Sequence, residues 1–198
     1  MIFIDDKMKI LSICGSPRKG NSEAILNRLK QIFEKSGVEN EIVLLREKNI
    51  ERCDGCVEYC NKNLDCQKKD DMVEIFDKIK NADGYVFISP NYFKMPSGIF
   101  KNFIDRCSIL YTAQIDMSMK RAIVIVVGTD AIEEIDVCLK NICDNFCKTL
   151  GILVVAKKSF RSRSELKGNY NDIFENKLNP NIDKEIERMA NELYKSLS

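Results

Sequence analysis

Two hydrophobic rhythms alternate along the 198 residues. Short, nearly continuous apolar runs at 8–14, 41–45, 84–89, 122–127 and 152–156 have strand length and read as five strands. Between them apolar residues return every three or four positions, the spacing of a helix with one buried face. Ile25, Leu26, Leu29, Ile32 and Phe33 form the first such series, ending at Gly37, and Met72, Ile75, Phe76 and Ile79 form the second after Asp70 and Asp71. Ile99, Phe100, Phe103, Ile104 and Cys107 follow, with Pro96 suited to the first turn. Ile135, Leu139, Ile142, Phe146 and Leu150 make a fourth helix, closed by Gly151, and Asp130 and Glu133 are spaced as its capping box. A last series, Ile182, Ile186, Met189, Leu193 and Leu197, comes after Pro180.

Strands alternating with helices predict an α/β fold, a parallel sheet of five strands covered by helices on both faces. The length suits one domain over 1–198, with a cysteine-rich insertion at 53–66 and a C-terminal arm and helix at 157–198. Ligands of such sheets gather at the carboxyl ends of the strands, near the point where strand order reverses. The loops at 15–22, 90–95 and 128–130 leave that edge, so three loops are expected to converge on one site. A receiver-type signalling domain shares the architecture but needs acidic residues after its first strand, where this chain has Cys14 and Gly15.

The loop after the first strand reads Gly15-Ser16-Pro17-Arg18-Lys19-Gly20-Asn21-Ser22. It joins a strand to a helix N-terminus, where backbone N–H groups lack helical partners and the dipole favours an anion. Ser16, Asn21 and Ser22 add side-chain donors, and Arg18 can grip a phosphate with two hydrogen bonds. The spacing resembles the phosphate loop of nucleotide hydrolases, but Asn21 stands where that loop has lysine. A phosphomonoester is therefore a better guest than a nucleoside triphosphate.

Net charge is +1, so no strong field points to nucleic acid or an anionic membrane. No apolar run approaches the roughly 20 residues that span a bilayer. Residues 1–7 lack the features of a secretory signal and read as a short extension, which makes the cytoplasm the expected location. Histidine is absent, which removes histidine acid–base catalysis and histidine metal ligation. Cysteine occurs nine times, with Cys53, Cys56, Cys60 and Cys66 packed into fourteen positions. In a cytosolic chain this grouping suggests metal or redox chemistry more than disulfides. A 4Fe–4S cluster, a zinc ion and a set of free thiols are all compatible with it. Cys14, Cys107, Cys138, Cys143 and Cys147 read as core residues, and Lys101, Asp105 and Arg106 as a solvated helix face.

Taken together, Gly15-Ser16-Pro17-Arg18 with Asn21-Ser22, Ser89-Pro90-Asn91-Tyr92-Phe93, and Lys101-Asn102-Phe103-Ile104-Asp105-Arg106 resemble the flavodoxin-like NAD(P)H-dependent FMN reductases and the related iron–sulfur flavoproteins. Cys53-x-Gly55-Cys56 and Cys66 before Asp70-Asp71-Met72 also fit, and the likeness covers about 8–156. The resemblance implies a three-layer sandwich with strand order 2-1-3-4-5 and bound FMN. Ser16, Arg18, Asn21 and Ser22 would hold the FMN phosphate. Pro90, Asn91, Tyr92 and Phe93 would run along the isoalloxazine ring, bordered by Gly128 and Thr129. NAD(P)H would be the electron donor, and a flavin, quinone or other small molecule the acceptor. No side chain is expected to act as a catalytic acid or base. In the iron–sulfur flavoproteins the cysteines hold a 4Fe–4S cluster that relays single electrons from a ferredoxin-like donor; this chain has one more residue between Cys56 and Cys60 than their usual spacing. A homodimer or homotetramer is also implied. The segment 157–181, with Phe160, Arg161, Arg163, Tyr170 and Phe174, carries more than a simple linker needs, and it is expected to reach over a neighbouring subunit or cover the flavin.

Overall fold

The computed structural model describes residues 7–162 and 179–198. The first apolar run becomes β1 (Lys9–Cys14), and the next three become β2 (Glu39–Leu44), β3 (Gly84–Tyr92) and β5 (Arg121–Gly128). A two-residue strand, β4 (Met95–Pro96), turns back antiparallel on the end of β3, and β6 (Leu153–Arg161) completes the set. The long strands are parallel in the order β2-β1-β3-β5-β6. With the short β4 set aside, this is the 2-1-3-4-5 order of flavodoxin-like folds.

Alternation along each strand sends side chains to two separate cores. Leu11, Ile13, Tyr85, Phe87, Val124 and Val126 face one side, beneath α3 (Met72–Asn81), α4 (Gly98–Arg106) and α6 (Ile132–Asn141). Ile10, Cys14, Val86, Ile88, Ile123 and Ile125 face the other, beneath α1 (Asn21–Lys35) and α7 (Pro180–Leu197). Phe87 lies at the centre of the first core, with ring centroids of Tyr85, Phe100, Phe103 and Phe146 at 5.3–6.4 Å. In the second layer, Arg28 on α1 holds Asp183 on α7 with two hydrogen bonds of 2.6 and 3.1 Å, and reaches Glu187 at 2.7 Å. Among the described residues no helix is long and apolar enough to cross a membrane.

Several sequence expectations are corrected. The fifth strand does not stop at residue 156 but runs to Arg161, pairing with β5 as far as Gly128. Its second half, Lys157-Lys158-Ser159-Phe160-Arg161, is polar because β6 is an edge strand, where charged side chains discourage pairing with another chain. Pro96 is not in a helical turn; it pairs with Asn91, and Ser97 caps α4 by accepting a hydrogen bond from the Phe100 N–H. Asp130 does not cap α6, whose N-cap residue is Ala131. Arg106 is not part of a solvated stripe. Its side chain and that of Asp70 are each 1% exposed, joined by hydrogen bonds of 2.5 and 3.0 Å, and Arg106 also donates to the Glu51 carbonyl at 2.9 Å. Lys101 and Asp105, by contrast, form an exposed pair. The extension at 1–6, and Arg163, Tyr170 and Phe174, lie outside the described residues.

Burial alone would raise the Asp70 carboxyl, but hydrogen bonds from Arg106 and from the Glu51 and Met72 backbone hold it below its ordinary value. A lowered carboxyl adds stability above the unfolded-state pKa and loses it as pH falls through the folded value. Arg106→Met leaves this carboxylate buried without its cation, and urea unfolding near neutral pH should show a loss of about 3–5 kcal/mol. Because burial would then raise Asp70, the deficit should shrink as the buffer is acidified toward the carboxylate range. A constant deficit at every pH would contradict this assignment.

Candidate active site

Three loops meet at the carboxyl end of the sheet and enclose a cleft of about 410 Å³. All ten residues expected at the cofactor lie along it: Ser16, Arg18, Asn21, Ser22, Pro90, Asn91, Tyr92, Phe93, Gly128 and Thr129. The first loop is fixed by its glycine. A side chain at Gly15 would place its Cβ 2.5 Å from Phe100 Cβ, so only glycine lets the loop backbone lie against α4. The Gly15 N–H donates to the Ile88 carbonyl at 2.8 Å, and the Gly15 carbonyl accepts from the Ser97 hydroxyl at 2.5 Å. Ser97 N–H in turn donates to the Ser89 hydroxyl at 3.1 Å. One buried serine thus locks the first loop to the end of β3.

Gly20 is the N-cap of α1 and has no side chain with which to cap its N–H groups. The helix therefore points the positive end of its dipole at the cleft, beside Arg18, Asn21 and Ser22. The Ser16 hydroxyl donates to the Arg18 carbonyl at 2.7 Å and so shapes the loop from within. Asn21 Nδ2 donates to the Ser162 hydroxyl at 3.0 Å, and the Ser162 N–H donates to the Gly128 carbonyl at 2.6 Å. Ser162 is not legible in the sequence, because the polar half of β6 does not read as strand. If it did, Ser162 would fall at the ligand end of the sheet.

The second loop is a hairpin. Tyr92 and Met95 pair across a two-residue turn, Phe93-Lys94, whose φ angles of 52° and 65° are both left-handed. This is the conformation of a type I′ turn, which usually takes Asn-Gly. Each non-glycine residue held there costs about 1–3 kcal/mol. Tyr92 and Phe93 are not packed beneath the loop; they are 41% and 99% exposed. Lys94 Nζ lies 3.2 Å from Glu134, and the Lys94 carbonyl accepts from Asn141 Nδ2 at 3.2 Å, so α6 braces the turn.

Asp130, expected as a helix cap, instead accepts from Asn91 Nδ2 at 2.6 Å. Gly128 opposes Asn91 closely, since a Cβ there would be 3.0 Å from Asn91 Cβ. The third loop is thereby joined to the second. The volume lies within the range of cofactor pockets. An anion-attracting helix end at one side and aromatic side chains at the other suit an elongated ligand with a phosphate and a flat ring, and FMN fits that description.

The four cysteines of the insertion also share one place. Cys53, Cys56, Cys60 and Cys66 line a small cavity with Asp54, Lys68 and Arg106. Cys56 and Cys60 sulfurs are 3.9 Å apart, on or just before α2 (Val57–Asn63). Burial, then the neighbouring Cys56, pushes the Cys60 thiol up to about 11. The donor chemistry suits a thiolate-ligated centre. However, the cavity is about 10 Å³, room for roughly one water. No group of three cysteine or carboxylate residues among the described residues is arranged to hold a metal ion. As the side chains stand, they do not fit a cluster.

The family model for NADPH-dependent FMN reductase matches residues 8–163. An iron–sulfur flavoprotein of Archaeoglobus fulgidus is 34% identical over 152 residues, 76% of this chain and 77% of its own length. A second protein of that name from the same organism is 41% identical over 99 residues, half of this chain and 48% of its own length. Among solved structures, the apo form of an NADH:FMN oxidoreductase superposes with a TM-score of 0.68 at 16% identity, covering 97% of this chain and 91% of the other. That likeness concerns the fold. By sequence, the chain belongs to the family of NADPH-dependent FMN reductases.

Proposed function

We propose that the protein is an FMN-dependent oxidoreductase that takes electrons from NAD(P)H and passes them to a small acceptor such as a quinone or a free flavin. One observation carries this reading: Ser16, Arg18, Asn21, Ser22, Pro90, Asn91, Tyr92, Phe93, Gly128 and Thr129 line a single cleft at the ligand end of the sheet. Bound FMN supplies the hydride and electron chemistry. The chain's own residues bind and orient. Arg18, Ser22 and the N-terminus of α1 take the phosphate, while the hairpin and Gly128-Thr129 flank the ring. No histidine is present, and the proposed chemistry requires no side-chain acid or base. The family resemblance further implies a cytoplasmic homodimer or homotetramer.

A second reading keeps this site and adds an iron–sulfur cluster at Cys53, Cys56, Cys60 and Cys66, with a ferredoxin-like donor. The four thiols on one cavity and the similarity to iron–sulfur flavoproteins of Archaeoglobus fulgidus favour it. The present side-chain positions require rearrangement to accept it.

Protein purified without oxygen should show flavin absorption bands that bleach on addition of NADPH or NADH. No flavin bands and no binding of added FMN would overturn the proposal. Arg18→Ala should weaken FMN binding to the apoprotein about tenfold, the worth of a charge-assisted hydrogen bond, read by quenching of FMN fluorescence. Iron and sulfide near four each per chain, lost in Cys66→Ser, would establish the second reading. A yellow protein without iron would dismiss it.

A further inference from the structure

Phe93 combines three properties that a merely structural residue would not. It is 99% exposed, it borders the cofactor cleft, and it is held in a left-handed conformation that disfavours any side chain. Its own packing does not offset that strain, because almost none of its surface is covered. Glycine at this position would be more stable, since it adopts φ near +52° without steric cost. The turn is also held by α6, through Lys94, Glu134 and Asn141, so the ring is projected from a braced support.

Building on the flavin site proposed above, we propose that Phe93 is a specificity-determining platform for the flat conjugated ring of a reactant that docks at the mouth of the cleft. An aromatic face favours an offset-stacked partner of similar shape. Two reactants carry such a ring, the nicotinamide of the donor and a quinone-type acceptor. A small inorganic oxidant such as ferricyanide does not. The role belongs to binding, and no proton or electron passes through Phe93.

The chain has no tryptophan, so Phe93→Trp introduces a single indole reporter at the turn. Its emission should be quenched saturably by 1,4-naphthoquinone or by NADP⁺, and the one that saturates identifies the reactant. Quenching that is only linear for both, as in random collision, would overturn the proposal. This titration does not depend on turnover, so it decides the matter even if the protein proves inactive as a reductase. In parallel, Phe93→Gly should unfold at a higher urea concentration than the parent. In active protein it should also raise KM for the ring-bearing reactant about three- to tenfold. The KM for ferricyanide should change by a smaller factor than that for the ring-bearing reactant, so the ratio of the two is the readout. Equal KM values in Phe93→Gly and the parent, with the parent active, would defeat the inference and leave the flavin reading intact.

Discussion

The contact between the backbone at Gly15 and the ring of Phe100 governs the ligand end of the molecule. A Cβ at residue 15 would lie 2.5 Å from Phe100 Cβ, far inside van der Waals contact. Because the two touch without a side chain between them, the Ser97 hydroxyl can reach the Gly15 carbonyl while its oxygen caps α4. Ser97 is 1% exposed, so these hydrogen bonds form in a dry environment where losing one partner is costly. The consequence extends outward. Fixing residue 15 fixes where α1 begins, and therefore where its N–H groups point. Fixing Ser97 closes the hairpin that carries Tyr92 and Phe93.

Connections between loops are made by short polar side chains, each joining elements distant in sequence. Asn21 reaches Ser162 across 141 residues, and Asn91 reaches Asp130 across 39. Such bonds set the separation of the cleft walls more firmly than apolar packing would, because their geometry is directional. Glycines at 15 and 128 are needed for the same reason: each lets backbone and side chain approach at a crossing point. The cleft is built from tight crossings, and the strained Phe93-Lys94 turn is an extension of that rigid frame.

Most of the sheet was legible because its strands are buried on both faces and read as apolar runs. The convergence of the three loops followed from the order of elements together with the glycine and hydroxyl pattern at 15–22. What escaped reading shares one cause, dependence on a distant partner. Arg106 looks like one member of a charged helix face until Asp70, 36 residues away, buries it. Asp130 has the spacing of a cap, but Asn91 competes for its carboxylate. The end of β6 carries lysines because it lies at a sheet edge, and an edge position is a property of topology. Pro96 satisfies a local helix rule, but its two-residue pairing with β3 decides its conformation.

The nine cysteines divide by support rather than by residue type. Cys138 and Cys143 are buried in the sheet-and-helix core, where desolvation pushes their thiols up to about 12 and about 11, so they remain neutral and inert at physiological pH. Cys66 is buried too, but beside Arg106, which is anchored to Asp70 and the Glu51 carbonyl. Lys68 binds Asp54 and Glu51 at 2.7 and 3.0 Å and ties down the same side of the insertion. Cys56 and Cys60 have a different support: α2 is seven residues long and buries none of them. A segment with so little buried surface can shift at small free-energy cost compared with a core element. Enlarging the cavity around the four sulfurs therefore requires movement of α2 against a fixed Cys66, not rearrangement of the domain. The buried Arg106 and the partly exposed Lys68 on the fixed side also place positive charge beside the thiols, a feature masked in the sequence by the acidic residues at 54, 58 and 65.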